Sequence, residues 1–186
     1  MTRFDPELWR QRAWARFTRA TRAISPKDKA SQGEAERAWA RDVIAIGDLE
    51  KVVGWCSVRC IDVNFVKKAL GTYHMGVKQI SISSRLGPVN QVAILLHECG
   101  HHLIGDIEHH DRFGMGYPMG GDPTVSRTFN HRVAVLDEEM EAWHRGWKLA
   151  GRLELALDRE TFDKIRLDCV KSYIKWSINP GKKKEA

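Results

Sequence analysis

The chain has 186 residues, 42% of them hydrophobic and 29% charged, which is enough for one hydrophobic core, thin for two, and unlike a disordered chain. Its longest apolar run, residues 92–96, falls far short of the ~20 residues of a spanning helix, so no membrane partner is expected. The net charge of +6 sits at the ends: residues 1–42 hold ten Lys and Arg against six Asp and Glu, residues 180–186 three against one, and the rest balance. Nucleic acid is therefore expected, if at all, through the basic termini alone. No apolar signal core follows Met1, and four cysteines (Cys56, Cys60, Cys99, Cys169) are too few for a disulfide scaffold, so a cytoplasmic location is expected.

In chain order, Asp5 and Pro6 form a helix start, and Trp9, Ala13, Phe17, Ala20 and Ile24 recur at helical spacing, with Arg12, Arg16 and Arg19 on a flanking face. Ser31 and Glu34 form a capping-box pattern that opens a second helix, expected to end near Gly47, with a short helical turn from Asp48 to Trp55. Residues 60–65 and 79–83 alternate apolar and polar and predict two half-exposed strands, joined through a connection bounded by Gly71 and Gly76. Pro88 suits a first helical position, and the apolar face from Val89 to Leu103 predicts a helix stopped by Gly105.

That helix contains His97-Glu98-Cys99-Gly100-His101, an H-E-x-x-H pattern. Four residues make about one helical turn, so both imidazoles leave the same face and can hold one Zn²⁺, while Glu98, about 100° away, is placed as a general base. Burying His, Glu and His together without a cation would be costly. A third ligand is needed to leave one coordination place open to chemistry. Candidates are the acids Asp137, Glu138, Glu139 and Glu141 and the histidines His109, His110 and His131. On a helical wheel through Leu136, Met140, Trp143, Trp147 and Ala150, Glu139 faces inward, roughly 60° from the stripe centre. The other three acids lie roughly 100° to 160° away, toward water.

Between the two helices, residues 106–132 lack periodicity and are rich in Gly and His, a length of loop that usually serves a site. A last helix is expected from about Asp158, packing Phe162, Ile165, Cys169, Tyr173 and Trp176. For the oxyanion of a tetrahedral intermediate the candidate donors are His131, Tyr117 and Tyr173, with His131 favoured as a catalytic residue. A peptide substrate is expected to add as a strand along residues 79–83.

His97-Glu98-Cys99-Gly100-His101 followed by Glu139-Met140-Glu141-Ala142 resembles the H-E-x-G-H plus E-x-x-A signature of gluzincin-type zinc metallopeptidases, most of all the ImmA/IrrE-like group. The resemblance spans roughly residues 58–150. It implies His97, His101 and Glu139 as zinc ligands and Glu98 as base. Trp143 departs from the Asn or Asp usual in such families one turn after the ligand Glu, a position from which an acceptor would support the metal ligands. The metzincin frame fails, because glycine falls at 105 and position 107 is Ile107. His110 to Phe113 is distantly similar to the H-x-x-F element of SprT-like proteases, which would make His109 or His110 the third ligand.

The expectation is thus an α+β, zincin-like metallopeptidase domain, a small twisted sheet packed on the H-E-x-x-H helix with flanking helices, over residues 48–178. A basic helical segment, residues 1–47, packs on it, and residues 179–186 form a basic tail. The expected function is zinc-dependent endopeptidase cleavage of an intracellular protein, with one Zn²⁺ per chain. The alternative is a catalytically silent, metal-stabilised regulatory module binding DNA or protein through the basic N-terminal helix.

Overall fold

A computed structural model describes residues 4–25, 27–67, 70–105 and 128–178. His109, His110, Tyr117, the glycine-rich stretch around them and the basic tail lie outside the described residues. Those that are described form an α+β fold of five α-helices and a three-stranded sheet.

Helix α1 (Pro6–Arg22) starts as the sequence predicts: Asp5 accepts hydrogen bonds from the backbone N–H groups of Glu7 and Leu8 at 3.0 and 3.2 Å, and Pro6 takes the first turn, where no N–H is needed. Helix α2 (Lys29–Val58) departs from expectation at both ends. Its cap is Asp28, which accepts from Ser31 N–H at 3.0 Å, so the Ser31–Glu34 pattern lies inside the first turns. It also runs unbroken through Gly47 for 30 residues. A glycine there costs about 1 kcal/mol relative to alanine. The buried stripe Ile46, Leu49, Val52 and Cys56 continues across it and outweighs that cost, since each large apolar side chain contributes about 1.5–3 kcal/mol. The expected separation at residue 47 therefore falls within a continuous helix, and Trp9 and Ala13 of α1 share the main buried cluster with α2.

Strand β1 (Asp62–Val66), strand β2 (Gly71–His74) and strand β3 (Gln79–Ser83) make a sheet ordered β1-β3-β2, with β1 parallel and β2 antiparallel to β3. The segment read from sequence as a connection thus contains a strand, too short for a period-two pattern to stand out. Ile80 and Ile82 of β3 are wholly buried, whereas in β2 the half-buried Gly71 and Tyr73 alternate with the exposed Thr72 and His74.

Helix α3 (Pro88–Ile104) begins at Pro88 and ends at Gly105, whose φ of +73° favours a residue without Cβ. Leu95, Leu96, Ala93 and Cys99 are fully buried on different sides of it, as expected for a helix enclosed by neighbours. Helices α2 and α4 (Phe129–Arg152), the sheet and α5 (Arg159–Ile178) surround it. Cys99 packs against Cys56 of α2, sulfur to sulfur 3.5 Å, as a buried free thiol. Among the described residues no helix is long and apolar enough to cross a membrane.

Helices α3 and α4 cross at backbone contact. A Cβ on Gly100 would stand 1.9 Å from the Ala142 carbonyl oxygen, and one on Gly146 would stand 2.5 Å from the Leu96 carbonyl oxygen. Only glycine fits either place. The C-terminal turn of α3 is tied to the same neighbour, since Arg145 donates to the Leu103 carbonyl at 2.6 Å while holding Glu141 at 2.8 Å.

Candidate metal centre

Because α3 and α4 touch at glycine, the side chains on either side of the crossing are driven into one another. His97 and His101, one turn apart on α3, bring their Nε2 atoms to 3.3 Å. Glu139 reaches across from α4, with Oε2 3.1 Å from His97 Nε2 and Oε1 3.8 Å from His101 Nε2. The three residues offer ligand atoms that all lie within 4.8 Å of one another, and they can hold a metal ion. The donor spacing fits a small tetrahedral cation: bonds of about 2.0–2.1 Å imply ligand-to-ligand edges of about 3.3–3.4 Å, and the observed distances bracket them. His97 and Glu139 are buried, and His101 is nearly so. Glu139 as the partner of the two histidines is thus the arrangement the wheel pointed to.

The charges of the group support one another. Burial pushes the Glu139 carboxyl upward, but the hydrogen bond with His97, the charges of His97 and His101 and a hydrogen bond from the Tyr173 hydroxyl outweigh it, so the carboxylate is held below its ordinary range. For His101, burial favours the neutral ring, yet Glu138, Glu139 and Glu98 together raise its pKa above the usual histidine value.

Glu98 lies in the same cleft but outside the three-residue group. Burial raises its pKa, against the pull of His97, His101 and the backbone N–H of Tyr73. Strand β2 presses directly on it: a Cβ at Gly71 would stand 2.6 Å from Glu98 Oε1 and 2.4 Å from Ile94 Cγ2. Tyr73 fixes this strand to α3 through its hydroxyl, 2.9 Å from His102 Nδ1. The cleft has a volume of about 480 Å³ and is bordered by Gly71, Thr72 and Tyr73 on one side and by Tyr173 of α5 on another.

Two sequence readings need revision. Glu138 does not face water: it is 3% exposed, and its Oε1 lies 3.1 Å from His101 Nδ1. The wheel fails because it is centred on the largest apolar side chains. The buried face actually runs through His131, Val135, Glu138, Glu139, Ala142, Trp143, Gly146, Leu149 and Ala150, rotated by about 90°, so that Trp143 and Ala150 of the expected stripe lie at its edge and Met140 is left 39% exposed. Small residues mark the true contact line. The second revision concerns the substrate edge: β3 is the central strand, paired on both sides, so residues 79–83 offer no edge.

His131 sits in the first turn of α4, its N–H capped by Thr128 Oγ1 at 3.1 Å and its buried ring edge-on to Trp176 at 6.0 Å. It does not line the cleft, whereas Tyr173, another donor candidate, does. Trp143 stacks its ring on His97 with centroids 4.3 Å apart and planes 20° from parallel.

Compared with known proteins, the chain matches no family, no curated protein and no solved structure.

Proposed function

We propose that this chain is a zinc-dependent endopeptidase with a zincin-like catalytic domain, acting on a protein or peptide substrate. The observation that carries the reading is the union, in one cleft, of a two-histidine, one-glutamate donor group with a carboxylate, Glu98, that belongs to no ligand pair. Two imidazoles and a carboxylate are a donor set suited to catalytic zinc. Bound zinc would supply Lewis acidity to polarise a peptide carbonyl.

Glu98 takes the proton of the attacking water and delivers it to the departing amine. Its enclosed position beneath Gly71 keeps the carboxylate in one place for both transfers. Of the described donor candidates Tyr173 lines the cleft, and its hydroxyl, which donates to Glu139, would donate to the developing oxyanion by turning from that carboxylate. The edge of β2, which has no strand partner besides β3 among the described residues, borders the cleft, and an extended peptide would add there. This replaces the edge expected at residues 79–83.

Against a catalytically silent module, the deciding group is again Glu98, since a purely structural site has no use for a base held beside the ligands. The test is cleavage of an unfolded protein by the zinc-loaded chain. Glu98→Gln is expected to retain zinc and lose turnover by about 10²- to 10⁴-fold. Turnover at the wild-type rate in that variant, or no cleavage by the zinc-loaded wild type, overturns the proposal.

A further inference from the structure

The two histidines of the metal centre are supported by unlike means. His97 lies flat on the Trp143 ring, and among the described residues its Nδ1 has no hydrogen-bond partner. His101 has a buried carboxylate against its Nδ1, Glu138 Oε1 at 3.1 Å, with both side chains largely shielded from water. The difference is chemical. A stacked ring fixes the plane of an imidazole and leaves the choice of tautomer open. An ionised carboxylate can only accept, so it requires the proton on Nδ1 and leaves the Nε2 lone pair free.

That Nε2 is the atom 3.3 Å from His97 Nε2 and 3.8 Å from Glu139 Oε1. Glu138 and Glu139 are adjacent in sequence and so diverge by about 100° on α4. They fall on either side of the line through Ala142 and Gly146, where the backbones of α3 and α4 meet, so both are turned inward. One reaches the gap between the two Nε2 atoms, the other the far nitrogen of His101.

We propose that Glu138 is a positioning residue of the metal centre: by accepting the Nδ1–H of His101 it holds that imidazole in the tautomer and rotation that aim Nε2 at the ion, while Glu139 takes the ion itself. The inference rests on the metal-centre reading above. It supplies from the residue before the ligand glutamate the outer support that position 143, a tryptophan, does not give as a hydrogen-bond acceptor.

The experiment is competition for Zn²⁺ between the protein and a chromophoric chelator, with wild type, Glu138→Ala, Glu138→Gln and His101→Ala side by side and the thermal unfolding of each metal-free form recorded. Glu138→Ala is expected to bind zinc about 10- to 100-fold more weakly than wild type. Glu138→Gln, whose amide oxygen still accepts from Nδ1–H, is expected to recover most of that loss and to show His101 protonated on Nδ1 in ¹⁵N spectra of the zinc-loaded protein. Wild-type affinity in Glu138→Ala, or equal losses in the two variants, overturns the role of Glu138 alone. Wild-type affinity in His101→Ala, or no zinc binding by the wild type, overturns the metal centre and this inference with it.

Discussion

The α3–α4 crossing and the α1–α2 hairpin are both helix pairs, yet they are joined on opposite principles. At the crossing, Gly100 and Gly146 let the backbones touch, and charged groups are buried around the contact. In the hairpin the helices meet through large side chains: Trp14, Phe17 and Trp39 lie with ring centroids 5.3–5.6 Å apart, and Trp14 stays 52% exposed. Its ion pairs, Arg16–Asp42 at 2.8 Å and Arg10–Glu50 at 3.2 Å, lie at the surface. A side-chain interface can adjust by changing rotamers, whereas a backbone interface has no such freedom. The group that could hold a metal ion, His97, His101 and Glu139, is built on the pair that cannot adjust.

The largest expected effect tests that rigidity. Gly100→Ala puts a methyl where the Ala142 carbonyl stands, and no side chain can move aside to admit it. A loss of about 3 kcal/mol or more is expected, at the upper end of overpacking costs, read as a fall in Tm of roughly 6–12 °C. An unchanged Tm would show that the helices separate easily. The same exchange in α2 should have the opposite sign. Gly54 is an exposed mid-helix residue, and a Cβ added there would meet nothing within 4 Å, so Gly54→Ala is expected to stabilise by about 0.5–1 kcal/mol in chemical denaturation. Destabilisation there would remove the contrast. The smallest effect belongs to the Arg16–Asp42 pair, for which a double-mutant cycle should give a coupling of no more than about 0.5 kcal/mol that fades with salt. A coupling several times larger would mean that the hairpin is held electrostatically.

The sequence made α3 legible almost to the residue, because Pro88, Gly105 and the H-E-x-x-H spacing each follow from local geometry. The inward place of Glu139 was legible as well. Glu138 was not, since a wheel weighted by apolar bulk cannot register a contact face made of Ala142 and Gly146, and the mates of those residues lie some 45 positions earlier in the chain. The glycines themselves were the available signal: Gly100 inside the motif and Gly146 two turns after the acidic cluster both stand where a helix has no local use for them. Strand β2 escaped for a related reason, as four residues fixed by pairing to β3 and by Tyr73 carry too little pattern of their own.

The contact at Gly100 also bears on how such a chain drifts. Where two side chains meet, an enlargement on one helix can be balanced by a reduction on the other, and the positions wander together. Opposite Gly100 stands a main-chain carbonyl, which every amino acid possesses and none can shorten. No second mutation at position 142 makes room, so the two positions are expected to vary independently, and a side chain at position 100 can be admitted only by moving the two helix backbones apart.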